Sequence, residues 1–194
     1  VQLAIHAMDM MRQQVRPESR IGTWIIAGGT ASNVIPEFGE LEVTVRHTER
    51  EYLNGLSEQI KKIFEGAALC TGTTVDVEFY GNPYDDMNQN HRGTVLIEDV
   101  MTDMGIDFKP GPADIGGSSD IGNVSYQCAA FHPKLRLAGE DKVCHSKEFA
   151  AAMLESTIEQ TIVDGANIIG RTLLRLVENP AVLEEIVAEF NATK

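Results

Sequence analysis

The sequence has few basic residues. Sixteen lysines and arginines stand against 29 aspartates and glutamates, so the formal net charge is −13 over 194 residues. Nucleic acids and anionic membranes would repel such a chain, and we expect neither as a partner. No apolar run approaches the roughly 18 residues of a membrane span. The three cysteines form no CxxC pair, which favours reduced thiols in a cytoplasmic protein, with Cys144 buried and inert.

Helical and strand-like patterns follow one another through the first eighty residues. A helix is expected before Pro17, and strands are expected at 20–28 and 40–47. The T-x-x-E pattern of Thr48 and Glu51 predicts a capping box, from which a second helix runs to Gly72. The expected core face of the first helix consists of Leu3, Ala7, Met10 and Met11.

The segment 73–80 alternates in the same way as 40–47, with Val75, Val77 and Phe79 predicted to face inward. The order is therefore α-β-β-α-β. A ferredoxin-like β-α-β-β-α-β sandwich has this order with one more strand at its start. We therefore expect residues 1–80 to form such a sandwich without its first strand.

The polar stretch 81–90 contains turn formers and no apolar period, which is typical of a linker. In 91–194 we expect a helix over 91–104 ending at Gly105, and strands in "IDF" (106–108) and "VSYQCAAFH" (124–132). A long helix capped by Ser146 and a last helix opened by Asn179-Pro180 should follow. The expected core face of the long helix comprises Phe149, Met153, Ile162, Ala166, Ile169, Leu173 and Leu176.

Several side chains could carry chemistry, and each has a plainer interpretation. "GGSSDIG" lacks the G-x-S-x-G pattern of a hydrolase elbow, so Ser118 and Ser119 are more simply turn residues. His145 lies just before a helix, where a metal ligand can be held rigidly, although a lone histidine is more often structural. Arg46, on the polar face of its strand, is either solvated or grips a carboxylate together with Asn33 of "GGTASNVIP".

Taken in order, "GGTASNVIPEFGELEVTVRH", "AALCTG", "GGSSDIGNVSYQCAAFHP" and "CHSKEF" resemble the aminoacylase / carboxypeptidase G / aminobenzoyl-glutamate hydrolase family of zinc-dependent amidohydrolases. The resemblance runs over residues 1 to 178. It implies that residues 1–80 are an incomplete lid, or dimerisation, domain. Residues 91–194 would then be the closing part of an α/β catalytic domain. The implied fold class is accordingly α+β and α/β.

The resemblance also implies roles for individual residues. His145 matches the last metal ligand, and Asn33 and Arg46 match lid residues that contact the carboxylate end of the substrate. Gly117 and Ser118 match the loop that borders the substrate cleft. The implied substrates are small amides, namely N-acyl amino acids or dipeptides, and the implied assembly is a homodimer through the lid.

In this family the remaining zinc ligands, the general-base Glu and a lid histidine precede the matched motifs. The resemblance therefore implies a carboxyl-terminal fragment that is inactive alone. In an intact member, two zinc ions activate a water whose proton the Glu moves. A non-catalytic dimerisation or substrate-binding module is the alternative, and a serine hydrolase is a third hypothesis.

Overall fold

The computed structural model describes residues 1–111, 117–137 and 143–193. Within these residues it is a mixture of helices and one small antiparallel sheet, which is compatible with the α+β class. The elements are α1 Gln2–Met11, β1 Arg20–Ala27, β2 Glu40–Arg46, α2 Arg50–Thr71, α3 His91–Asp103, α4 Ile121–Ser125, α5 Lys147–Ala152, α6 Thr157–Glu178 and α7 Pro180–Ala192.

The chain divides into two compact units, Val1–Asp86 and Met87–Lys194. In the first unit β1 and β2 pair antiparallel, with Arg20 opposite Arg46 at one end of the ladder and Ala27 opposite Glu40 at the other. The expected alternation along β2 is confirmed. The side chains that pack on the buried core of the unit are Leu41, Val43 and Val45.

Helix α2 ends as predicted but does not begin as predicted. Gly72 follows it in the left-handed conformation, with φ of +69°, which a glycine adopts without strain. At the start, no side chain caps the helix. The backbone N–H of Glu49 instead donates to His47 Nδ1 at 2.9 Å. The predicted capping box of Thr48 and Glu51 is therefore wrong.

The buried face of α1 differs from the predicted one. Ala4 and Met8 are its buried residues, whereas Leu3 and Met10 are exposed. Met11 packs against the core as expected. The helix is apolar on several sides, so spacing alone left the choice of face open, and contact with the core decides it.

The predicted strand 73–80 is wrong in the structure. These residues form no ladder with any described residue, and the sheet has two strands. Val75 and Phe79, expected to face inward, are exposed. A strand exists only through a hydrogen-bonded neighbour, and no described residue provides one here. The four-stranded lid sandwich is not confirmed.

The second unit centres on α3. Its core cluster consists of Ile97, Val100, Met101 and Ile168. The Asn90 side chain caps α3 by accepting the N–H of Gly93 at 2.9 Å. Gly105, with φ of +68°, follows the end of α3, so the expected helix over 91–104 and its glycine end are confirmed.

Neither strand predicted for the second unit is present among its described residues. Residues 106–108 are irregular, and α4 together with irregular backbone occupies 121–132. Ser125 explains part of this difference. Its buried hydroxyl donates to the carbonyl of Gly122 at 2.6 Å and accepts the N–H of Asn88 at 2.8 Å. These bonds stabilise a helical turn at the position where the pattern suggests a strand.

The long helix expected after Ser146 is broken into α5 and α6. Its predicted core face is also wrong, because the buried residues of α6 are Ile168 and Thr172. Five of the residues expected in the core are exposed, namely Met153, Ile162, Ala166, Ile169 and Leu173. The last helix begins with Pro180 in its first turn, as predicted. No described helix is both long and apolar enough to cross a bilayer.

Candidate functional site

Arg46 is the last residue of β2 and belongs to the sheet face turned away from the helices. Val45, its neighbour, packs inward, so alternation along the strand sends the Arg46 side chain to the opposite side. The side chain is exposed. No hydrogen bond or ion pair joins it to another residue in the described part of the chain. Its planar guanidinium can therefore offer paired donors to a carboxylate.

Arg20 is a neighbour of Arg46 that sequence reasoning missed. The two residues are directly opposite in the ladder and so share one face of the sheet. Arg20 Nη1 donates to the carbonyls of Pro17 at 2.6 Å and Ser19 at 2.7 Å. The positive charge of Arg20 therefore lies beside Arg46, but Nη1 of Arg20 already donates to two backbone carbonyls. Two like charges facing each other destabilise a ladder, and an anion bound between them would remove that repulsion.

Asn33 is exposed in the connection between β1 and β2. The N–H of Val34 donates to the carbonyl of Ala31 at 3.3 Å, which forms a turn around Asn33. The connection leaves and rejoins the ladder at its Ala27–Glu40 end. Arg46 ends β2 at the other end, about 20 Å along the strand at roughly 3.3 Å per residue. The ladder itself therefore does not bring Asn33 and Arg46 together.

Gly117 and Ser118 precede the short helix α4 in the second unit. Both are exposed, and residues 112–116, which precede them, lie outside the described residues. A Cβ added at Gly117 would meet no atom within 4 Å, so packing does not require glycine there. The neighbouring Ser119 hydroxyl accepts the N–H of Ile121 at 3.3 Å. Ser119 thus acts as the local turn residue that the sequence suggests.

His145 has the most unusual backbone of the predicted site residues. Its φ of +67° is the only positive value among the non-glycine residues that the structure describes. Asparagine, aspartate and histidine enter this region more readily than most residues, and an outlier of this kind is a reason to suspect function. Ser146 follows and caps α5 by accepting the N–H of Phe149 at 3.0 Å, as predicted. The His145 side chain is exposed.

The described residues do not assemble a zinc site around His145. No group of three or more histidine, cysteine, aspartate or glutamate side chains in the described ranges could hold a metal ion. A catalytic zinc takes three protein ligands, and one imidazole does not suffice. The cysteines do not help: Cys70, Cys128 and Cys144 are exposed free thiols, so the expected burial of Cys144 is wrong.

A pocket of about 430 Å³ lies at the start of α2, apart from the predicted residues. Arg16 lines it, pairs with Glu49 at 2.7 Å and lies 4.4 Å from the ring centre of Tyr52. The backbone N–H of Arg16 donates to the Tyr52 hydroxyl at 3.1 Å. The one arginine of this pocket is thus already paired with Glu49, and none of the five predicted site residues lines the pocket.

The five predicted residues thus fall into two groups. Asn33 and Arg46 are in the first unit, and Gly117, Ser118 and His145 are in the second. Within each unit all of them are exposed.

Comparison with known proteins gives three informative matches, although no family model matches the sequence. The chain is 29% identical over 191 residues to a mouse Xaa-Arg dipeptidase, and 27% identical over 194 residues to the human protein of the same name. Each match covers 97% of this chain and 44% of the relative. An N-acetyldiaminopimelate deacetylase of Leuconostoc citreum is 32% identical over 85 residues, which is 43% of this chain and 22% of that protein. The chain therefore spans less than half the length of the curated relatives it matches.

Proposed function

These homologues support an aminoacylase-like amidohydrolase family for this chain, and on that premise we propose that the protein serves hydrolysis of the amide bond in N-acyl amino acids or small dipeptide-like substrates. The matched relatives are named as a dipeptidase and a deacetylase, and both reactions cleave an amide. Each match covers less than half of the relative. The activity of the whole protein is therefore itself part of what we propose.

The observation that carries the proposal is the pair of arginines at the end of the hairpin. N-acyl amino acids and dipeptides both carry a carboxylate. Arg46 offers it an unpaired guanidinium, and Arg20 adds positive charge directly across the ladder. Arg46 is thus assigned to bind the substrate carboxylate and fix its orientation. Asn33 is assigned a separate contact from the β1–β2 connection.

In the second unit, Gly117 and Ser118 are assigned to the border of the substrate cleft and His145 to metal binding. His145 is one ligand where zinc needs three, and the described residues supply no cluster around it. We therefore propose that these 194 residues bind substrate without hydrolysing it. Pairing of two copies through residues 1–80 is proposed as the assembly.

A non-catalytic dimerisation or substrate-binding module is the second candidate. Such a module needs no metal-ligand cluster, and the described residues hold none, which is compatible with both candidates. Both candidates predict binding by the 194-residue chain and no turnover. They differ in the activity of the whole protein: a catalytic member binds zinc at several ligands and hydrolyses amides, whereas a module does neither.

Binding is tested by NMR titration with N-acetyl-L-alanine and with its carboxamide, which lacks the negative charge. We expect the acid to bind more tightly, and we expect Arg46→Gln to weaken binding of the acid alone. Hydrogen bonds to charged groups contribute about 1.5–3 kcal/mol, so the loss should be about 10- to 100-fold. The matched control is Arg12→Gln, which removes the same charge from an exposed arginine paired with Asp9.

Equal affinity for acid and carboxamide, or equal losses from the two arginine variants, would contradict the carboxylate role of Arg46. A hydrolysis assay with added zinc tests the second part of the proposal. Turnover of N-acyl amino acids by the 194-residue chain would refute the statement that it binds without hydrolysing.

A further inference from the structure

The face of the hairpin that is turned away from the helices carries two ladder pairs besides the two arginines. Gly22 lies opposite Thr44, and Trp24 lies opposite Glu42. Every second residue of a strand shares one face, so both pairs belong to the face of Arg46. We call this surface the open face. It leads from a positively charged end, across two small residues, to an aromatic ring.

Gly22 is unexpected in the interior of β1, because glycine weakens a strand. Its φ is not among the positive values of the described glycines, and the irregularity of the ladder lies further along, between Ile25 and Ala27. A Cβ added at Gly22 would lie 3.9 Å from Cβ and from the carbonyl oxygen of Thr44, which is an ordinary contact. Backbone conformation, a bulge and packing against described residues therefore do not require glycine here. The remaining common reason for glycine inside a strand is the close approach of a ligand or of another backbone.

Trp24 is the only tryptophan of the chain, and it is 63% exposed. Tryptophan is highly buried on average in folded proteins. The ring of Trp24 is therefore a large aromatic surface that the described residues leave mostly uncovered, and Gly22 leaves the strand beside it bare. A flat apolar group that lies over Gly22 would contact this ring.

Charge decides in which direction a ligand lies on the open face. Arg46 and Arg20 attract a carboxylate at one end. Glu42 is half-buried opposite Trp24 and repels a negative group at the other end. A ligand with a carboxylate at one end and an uncharged apolar group at the other therefore fits in a single direction.

The length of the open face suits a small molecule. A strand advances about 3.3 Å per residue, so the backbone of Trp24 lies about 13 Å from that of Arg20. The side chains of arginine and tryptophan are both long, so the guanidinium and the indole ring can lie well within this distance of each other. The gap between them is on the scale of an N-acyl amino acid that has a ring in its acyl group.

We propose that Trp24 determines specificity by packing against an uncharged aromatic acyl group of the ligand whose carboxylate Arg46 binds. Gly22 keeps the strand between the two contacts clear. This inference rests on the proposed function, because it assumes that Arg46 binds a carboxylate. It adds the chemistry of the opposite end of the ligand and the residue that recognises it.

The test compares N-phenylacetyl-L-alanine with N-acetyl-L-alanine, which has the same carboxylate and no ring. We expect the phenylacetyl compound to bind about tenfold more tightly to the 194-residue chain, because it adds a contact between aromatic rings. The single indole N–H signal and the fluorescence of Trp24 should respond to this compound more strongly than to the acetyl compound. NMR titration should show that Trp24→Ala abolishes the difference in affinity between the two ligands. The matched control is Phe79→Ala, which removes a ring that is 70% exposed outside the sheet and should preserve the difference.

Gly22→Val separates ligand binding from strand stability. Valine is favoured in strands, and its Cβ meets only ordinary contacts at this position, so the urea midpoint should rise. The new side chain covers the open face, so affinity for the phenylacetyl compound should fall about tenfold, as for loss of the aromatic contact. The matched control is Thr23→Val, which places valine in the same strand opposite Val43, on the other face, and should leave affinity unchanged. Unchanged affinity in Gly22→Val would contradict the open path between Arg46 and Trp24.

The outcomes distinguish this inference from the proposed function. If Arg46→Gln weakens binding of N-acetyl-L-alanine but the phenylacetyl compound binds no more tightly, the role of Trp24 is overturned and the proposed function stands. A preference that survives Trp24→Ala has the same meaning. If neither compound binds, both are overturned. Trp24 fluorescence and sedimentation of the ligand-free chain are also followed against protein concentration, since burial of Trp24 on dimerisation would show that a second copy covers the open face and would overturn the ligand role.

Discussion

Gly93, near the start of α3, allows a sharp test of packing in the second unit. It is buried, and a Cβ added to it would lie 1.9 Å from Cε1 and 2.1 Å from Cζ of the Phe131 ring. Real Cβ atoms do not approach that closely, so Gly93→Ala must displace the ring. Phe131 packs against the core cluster around Val100, and its displacement opens or strains that cluster.

The size of the effect is the balance of two opposed terms. Alanine is favoured over glycine inside a helix by about 0.8–1.0 kcal/mol. Overpacking a well-packed region costs about 1–3 kcal/mol. A contact as short as this falls in the upper part of that range, so we expect Gly93→Ala to lower the free energy of unfolding by about 1–2 kcal/mol.

The matched control is Gly170→Ala in the interior of α6. A Cβ there would meet no atom within 4 Å, so only the helix preference acts. We expect Gly170→Ala to raise the free energy of unfolding by about 0.5–1 kcal/mol. Urea unfolding followed by far-UV circular dichroism measures both variants, with hydrogen exchange in α3 as the local readout.

Phe131→Leu completes a double-mutant cycle. Leucine is smaller and lets the new methyl group in, so Gly93→Ala should cost less in the Phe131→Leu background than in the parent. If Gly93→Ala were as stable as the parent protein, or if the two changes were strictly additive, the proposed clash between residue 93 and the Phe131 ring would be refuted.

Three further results are expected. The Tyr80 hydroxyl donates a hydrogen bond to the Glu42 carboxylate, which raises the pKa of Tyr80 above its ordinary value of 10.0, and the negative charge of Glu42 adds to this. The contact therefore favours the protonated phenol, and this stabilisation is lost as the pH rises through the raised pKa. Glu42→Gln should lower the pKa of Tyr80 in an ultraviolet titration, and an unchanged value would contradict the contact. Ser146→Ala should cost about 1 kcal/mol and speed exchange of the Phe149 amide, whereas Ser156→Ala, at a helix start without a side-chain cap, should not. The exposed free thiols are Cys70, Cys128 and Cys144. All three should react with a thiol reagent in the folded protein, and protection of any of them would contradict this placement.

Some features of the fold follow from local physics and could be predicted from the sequence. The alternation along β2 decides which side chains reach the core. Gly72 and Gly105 end helices because each has a positive φ that most other residues resist. The Asn90 and Ser146 positions suit capping because short polar side chains reach backbone donors at a helix start.

The predicted capping box of α2 was wrong because another local hydrogen bond replaces it. Thr48 and Glu51 fit the pattern of a capping box, but His47 lies next to them and accepts the Glu49 N–H through Nδ1. The pattern gives no weight to a histidine one residue earlier. The candidate site was also only partly predictable. Alternation along β2 predicts that Arg46 lies on the polar face of the sheet. The position of Arg20 beside it could be known only from the register of the hairpin.

The largest errors in the predicted fold share one cause. The spacing of apolar residues shows which face of an element is apolar, but it does not show which neighbouring element covers that face. In α6 the apolar period predicted a core face, yet Ile162, Ile169 and Leu173 are 66%, 62% and 58% exposed. The same helix buries Ile168 and Thr172 instead, and Ile168 packs against α3. A helix that is apolar over more than one face needs neighbours on more than one side, and α3 packs on the face of α6 that carries Ile168. Residues 73–80 repeat the point for a strand, because they have the alternating period but form no ladder with any described residue.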